Sequence, residues 1–169
     1  MPLSNSVVAG TLPTGAKPDP RTATNLPATG LYASPEYLIR RAHQIMSAAF
    51  VDACADLELT PSQYAALFAL RQRGSVSQNE LGRLIALDRS TTSVVVKSLR
   101  ERALVRASED PLDKRKTVLS LEDAGRLLLV RAEKRSARAG DVLVEALGAE
   151  KTRLLLELLH ELTNHHRSG

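Results

Sequence analysis

Two clusters near the middle of the chain have the residue types and spacing to grip a polyanion. The first follows Asp88, where Arg89, Ser90, Thr91, Ser93, Val94 and Lys97 surround the apolar positions Val95 and Leu99, four apart. On a helix that spacing turns Val95 and Leu99 inward. Short hydroxyls near its N-terminal end then reach phosphates or base edges, and Arg89 pairs with phosphate or guanine. Val94 either touches a thymine methyl or packs in the core or against another subunit. The second cluster is Asp113-Lys114-Arg115-Lys116. Three cations at the tip of a hairpin suit a minor groove, where narrow A·T tracts concentrate negative potential. Asp113 repels phosphate, so its expected work is to orient Arg115, or another arginine at the base of the hairpin, through a bidentate pair.

Charge supports this placement. Between Arg71 and Lys116 lie eleven basic and six acidic residues, a net +5 in a chain of net +4, so the rest carries −1. A basic surface confined to one stretch is the electrostatic footprint of phosphate contact, with an ordinary solvated face as the bland alternative.

A third cluster lies nearer the N-terminus. Leu38, Arg41, Ile45 and Ala49 recur at spacings of three and four, so an arginine interrupts an apolar stripe. Arg41, with Arg40 and His43 in support, suits the carboxylate of a planar aromatic ligand. The alternative is an intersubunit salt bridge to an acidic residue of the last helices. Cys54 admits a redox reading, but its neighbours Ala53, Ala55 and Leu57 favour a small buried apolar side chain. His160, His165 and His166 do not complete a metal site. No Gly-rich phosphate loop, nucleophile elbow or HExxH occurs, so we expect neither an enzyme nor a cofactor.

These clusters need rigid elements to hold them. The 169 residues suit one domain, and 43% hydrophobic residues with only 3% aromatic favour helices packed on helices. Residues 1–33, rich in proline and without apolar period, read as a flexible arm. Residues 34–58 form a first helix opened by Ser34-Pro35-Glu36, for dimerisation and the ligand pocket. Residues 59–121 hold the DNA-binding part. There Thr60 to Gln63 and Ser77 to Glu80 are capping boxes, Gly74 ends the helix between them, and Asp88 caps the next. Two short helices joined by about three residues make a helix-turn-helix. Alternating patterns at 104–107 and 117–121 then make a β-hairpin wing. Residues 122–169 form C-terminal helices, the first from another capping box at Ser120 and Asp123 and running to about Leu147. Leucine at 154, 155, 156, 158, 159 and 162 is broader than one core-facing stripe, so a second copy should cover part of it. A single cysteine excludes an intrachain disulfide, and no signal peptide or apolar span of ~18 residues appears, which points to the cytoplasm and away from membranes.

The segments LTPSQYAALFAL, SQNELGRLIALDRSTTSVVVKSLRERALV and DPLDKRKTVLSL, in that order, resemble the MarR (multiple antibiotic resistance regulator) family from Ser34 to about His166. The last is similar to the family's wing signature, with Asp113 and Arg115 in place and Leu119, Leu121 and Gly125 continuing it. The resemblance implies a mainly α winged helix-turn-helix fold with N- and C-terminal dimerisation helices. It also implies a homodimeric repressor on an inverted-repeat DNA operator, released by a small molecule that first-helix basic residues hold. Aromatic-acid-responsive members are the nearest in kind; a redox-sensing regulator or an effector-independent architectural DNA binder are the alternatives. Many members carry arginine where Val94 stands.

Overall fold

The computed structural model describes residues 29–165. The elements are α1 (Pro35–Ala53), α2 (Pro61–Arg73), β1 (Ser75–Val76), α3 (Gln78–Leu84), α4 (Arg89–Glu101), β2 (Val105–Glu109), β3 (Thr117–Leu121), α5 (Asp123–Ala139), α6 (Asp141–Leu147) and α7 (Ala149–His165), with 3-10 turns at Gly30–Ala33 and Ala55–Leu57. The mainly helical fold with a small antiparallel sheet is the one expected. The first 28 residues of the anticipated arm, and His166, lie outside the described residues. By its contacts the chain divides into two units, Met1–Leu38 and Ile39–Gly169. In the first, Ser34 Oγ accepts the Tyr37 N–H at 3.3 Å, which opens α1 as expected.

Local chemistry sets most helix ends in the second unit. Thr60 Oγ1 accepts the Gln63 N–H at 3.2 Å and Gln63 Oε1 accepts the Thr60 N–H at 3.0 Å, a complete capping box at α2. Gly74, at φ 78°, ends that helix and donates to the Leu70 carbonyl. Ser77 accepts from Glu80, so half of its expected box is present. Leu67, Leu70, Leu81, Leu99 and Leu129 are fully buried, so one core ties α2, α3, α4 and α5 together, closed at one edge by the sheet. Arg102, at the end of α4, donates to the Leu57 and Glu58 carbonyls at 3.0 and 2.7 Å and straps that helix to the turn after α1.

Three expectations need correction. Ser120 caps nothing: it sits in β3 opposite Arg106 and Ser75, and its hydroxyl accepts from Arg106 Nε at 3.1 Å. The ladder outcompetes the cap, and α5 starts after Glu122 without a side-chain cap. The sheet has three strands in the order β1-β3-β2, where the pattern showed only a hairpin. The long helix from 121 to 147 breaks at Gly140 into α5 and α6. On α7, Leu154, Leu156, Leu158, Leu159 and Leu162 stay exposed in the single chain, and so do Ile45 and Val51 on α1. Among the described residues no helix is long and apolar enough to cross a membrane.

Candidate DNA interface and effector cleft

Helix α4 is held by its first residues. Asp88 Oδ1 accepts the Thr91 N–H at 2.9 Å and the Ser90 hydroxyl at 2.6 Å, while Oδ2 accepts the Thr91 hydroxyl at 2.6 Å. These bonds, Ser90's foremost and then Thr91's, hold the Asp88 carboxyl well below the usual carboxylate range. Their cost is directional. With both protons given to Asp88, Ser90 and Thr91 present lone pairs outward and donate to a phosphate only after rotating away. Arg89, Ser93 and Lys97 are exposed on the same helix, Lys97 3.8 Å from Glu101. Val95 and Leu99 face inward as their spacing requires, whereas Val94 is 69% exposed and takes no part in this chain's core.

The turn before α4 is unusually close. Ala86 adopts φ 55°, Leu87 N–H returns to the Gly82 carbonyl, and Thr92, buried, donates its hydroxyl to the Asp88 carbonyl at 2.7 Å. Between α3 and α4 this leaves a concave surface of about 350 Å³ lined by Gln78, Asn79, Arg83 and Arg89. Its α3 members escaped the sequence reading, although Arg83 belongs to the basic stretch and the pair Gln78-Asn79 has base-reading side chains.

In the wing, Asp113 does what its charge allows. Its Oδ1 accepts both the backbone N–H and the Nε of Arg115 at 3.2 Å, and Oδ2 lies 3.5 Å from Lys116 Nζ. The Arg115 N–H, then its guanidinium, hold the Asp113 carboxyl below its ordinary range. Arg115 is 92% exposed on its side chain and Lys114 and Lys116 are exposed too, so the cations stand clear of the protein.

The first-helix cluster does not converge. Residues 41 and 43 are about 200° apart around a helix, at 100° per residue. Arg41 lines a shallow groove with Gln44, Ala48, Asp52 and Val142. His43 lines a different, larger open cleft of about 620 Å³ between α1, α5, α6 and α7, with Phe50, Ser136, Leu143 and Leu156 among its walls. Arg40 is exposed one turn before His43 and lines neither. The same cleft holds a feature with no signal in the sequence: Thr152, on α7, is buried and its hydroxyl has no partner. Ser47 Oγ lies 3.5 Å from His43 Nε2, so the cleft wall offers a small polar set in apolar surroundings.

An ion pair also ties α2 to α5. Arg71 on α2 and Glu133 on α5 form a two-pronged ion pair, one contact at 2.7 Å, and the same guanidinium stands 5.1 Å over the Phe68 ring. Cys54 is fully buried and its thiol is pushed up, first by burial and then by Asp56, the reverse of what a reactive thiolate needs. His160 and His165 are exposed, and no group of three metal-ligating side chains occurs among the described residues.

Comparison with known proteins agrees with this architecture. The MarR family pattern matches residues 57–116, the segment from the turn after α1 to the wing cations. The HTH-type transcriptional repressor NicR of Pseudomonas putida is 33% identical over 75% of this chain and 80% of its own. The repressor CouR, solved on a 23-mer DNA duplex, superposes with a TM-score of 0.73 at 29% identity, covering 83% of this chain and 99% of CouR. BpsR of Bordetella bronchiseptica, whose DNA binding 6-hydroxynicotinic acid regulates, gives 0.72 at 27% identity over 80% and 96%. With a relative of this identity and coverage, and the helix-turn-helix and wing already in place, the chain belongs to the MarR family: it is a winged helix-turn-helix transcription regulator and not an enzyme.

Proposed function

We propose that this regulator is a cytoplasmic homodimeric repressor that leaves an inverted-repeat operator when a small aromatic acid occupies the cleft beside His43. The observation that carries the effector reading is the unpartnered, buried Thr152 hydroxyl inside that cleft. A buried polar group without a partner is costly, and a ligand oxygen or ring nitrogen would satisfy it. His43 supplies the attraction for a carboxylate, with Arg40 exposed one turn away. Arg41, in the groove on the opposite side of α1, takes the intersubunit role. NicR's designation as a repressor, CouR's binding to a DNA duplex and the 6-hydroxynicotinic acid that regulates BpsR support the same reading.

Dimerisation follows from the exposed leucines of α7 and the apolar face of α1, which a two-fold copy covers isologously. Such a dimer sets its two α4 helices about one DNA turn, roughly 34 Å, apart, so the half-sites repeat at ~10 bp. On the DNA, Arg89, Ser90, Thr91, Ser93, Val94 and Lys97 face the major groove and Lys114, Arg115 and Lys116 the adjoining minor groove, with Asp113 orienting the wing.

The test is a melting screen of aromatic acids, followed by titration of the protein–DNA complex with the best of them. His43→Ala should bind operator normally and lose release, whereas Arg41→Ala should keep it. Release that vanishes only with Arg41→Ala would move the effector to the other groove, and no release by any acid would leave a DNA binder with a different signal.

A further inference from the structure

The wing tip carries a side chain that its cations do not explain. Leu112 is 97% exposed, more than any other large apolar residue among those described. It does not hang from a loose loop. Its N–H donates to Asp110 Oδ1 at 2.8 Å, the Asp110 N–H returns to the Lys116 carbonyl at 2.9 Å, and the Lys116 N–H closes on the Asp113 carbonyl at 2.8 Å. Pro111 fixes the backbone just before it. A leucine is thus held out at a set height, two and three residues from Lys114 and Arg115.

Isolated exposed leucines are ordinary on protein surfaces. This one differs in sitting on a fastened turn whose exposed charged side chains are the cations Lys114, Arg115 and Lys116. The fully exposed charge of the turn is cationic, since Asp110 and Asp113 are half-buried and taken up in its own hydrogen bonds, and this makes DNA the occupant that fits: an apolar protein partner would have to desolvate Lys114, Arg115 and Lys116 as well. In a minor groove the walls are deoxyribose rings, apolar surfaces between the phosphates those cations would meet.

We propose that Leu112 is an apolar contact of the wing, packed against the sugar walls of the minor groove that Arg115 enters, and that it contributes affinity without neutralising charge. This rests on the assignment of the wing to DNA, and the two fail differently. A cation on phosphate changes the salt dependence of binding, while an apolar contact changes affinity at every salt concentration alike.

The experiment uses the full chain and a duplex selected from a random-sequence pool by the wild-type protein, with Kd measured from low to moderate salt. Leu112→Ser should bind about tenfold more weakly with an unchanged salt slope, in keeping with the loss of a leucine-sized apolar contact. Leu112→Met should keep most of the affinity. Arg115→Ala should weaken binding and lower the slope by about one. Unfolding is no confounder, because the side chain touches almost nothing, and melting of Leu112→Ser should match the wild type. Wild-type affinity in Leu112→Ser with a weakened Arg115→Ala would overturn the inference and leave the wing on DNA. Unchanged binding in both variants would remove the wing from DNA altogether. A slope that falls in Leu112→Ser, or a changed sedimentation pattern without changed DNA binding, would also overturn it, by making the leucine a support of the cations or a protein contact.

Discussion

Gly125, in the first turn of α5, lies directly on the carbonyl of Leu104 at the root of the wing. A Cβ there would fall 3.1 Å from the carbonyl carbon and nearer still to its oxygen, the same oxygen that accepts the Glu122 N–H at 3.0 Å. Because the obstacle is backbone already engaged in a hydrogen bond, neither side can yield cheaply. Gly125→Ala should therefore destabilise by at least the ~1–3 kcal/mol of ordinary overpacking, seen as a lower denaturant midpoint. A variant as stable as wild type would show that α5 and the wing root are not packed this way.

A milder clash joins the helices of the DNA-reading unit. A Cβ on Gly82 would stand 2.7 Å from Thr92 Oγ1 and 3.2 Å from the Leu87 carbonyl. Thr92 is fixed by its bond to the Asp88 carbonyl, so Gly82→Ala should cost stability and operator affinity together. Thr92→Ala removes the blocking oxygen, and in a double-mutant cycle the pair should cost less than the sum of the singles, with coupling of about 0.5–3 kcal/mol. Strict additivity would mean the helices give way elsewhere.

Asp113→Ala should weaken operator binding although it removes a negative charge, because it frees the Arg115 N–H and guanidinium and the Lys116 ammonium it orients. Tighter binding would refute the orienting role. The pH dependence has a definite sign. The folded-state carboxyl titrates below its unfolded value of roughly 3.9, so its contribution is fully present above that pH and is lost as pH falls through the folded value. The Arg115 amide resonance should then stay put from neutral pH down to about 5 and move only in more acidic solution. Movement near pH 6–7 would require another titrating partner.

How far the sequence reaches depends on how local the cause is. The α2 box, the Gly74 stop and the Asp88 cap are hydrogen bonds at offsets of three or four residues, and Val95 and Leu99 turn inward by period alone. Ser120 has the spacing of a cap too, yet strand pairing with Arg106 and Ser75 claims it, and no local pattern records that competition. β1 is two residues long and exists only as an edge for β3. Arg41 and His43 sit close in sequence but open on different grooves: their spacing puts them on nearly opposite sides of α1, and only tertiary packing reveals which neighbours line each side. Thr152 carries no motif, since having no partner is a property of its neighbours.

That hydroxyl gives the sharpest test of the effector cleft. Replacing Thr152 by valine keeps shape and removes a polar group that the free protein does not satisfy. An unsatisfied buried group costs about 1–3 kcal/mol, so Thr152→Val should melt no lower than wild type, and higher if that penalty is present in full. The bound state behaves oppositely. If the effector supplies the missing partner, the variant loses a net hydrogen bond of about 0.5–1.5 kcal/mol, up to roughly tenfold in affinity, and the ligand-induced rise in melting temperature shrinks with it. Thr152→Ser keeps the hydroxyl and should keep most of the shift, which separates the bond from packing. Operator affinity without effector should be the same in all three proteins, because Thr152 lies on α7, outside the helix-turn-helix and the wing. A Thr152→Val protein that melts lower than wild type yet responds fully to the acid would place the hydroxyl in the fold's own hydrogen bonding and take it out of the effector site.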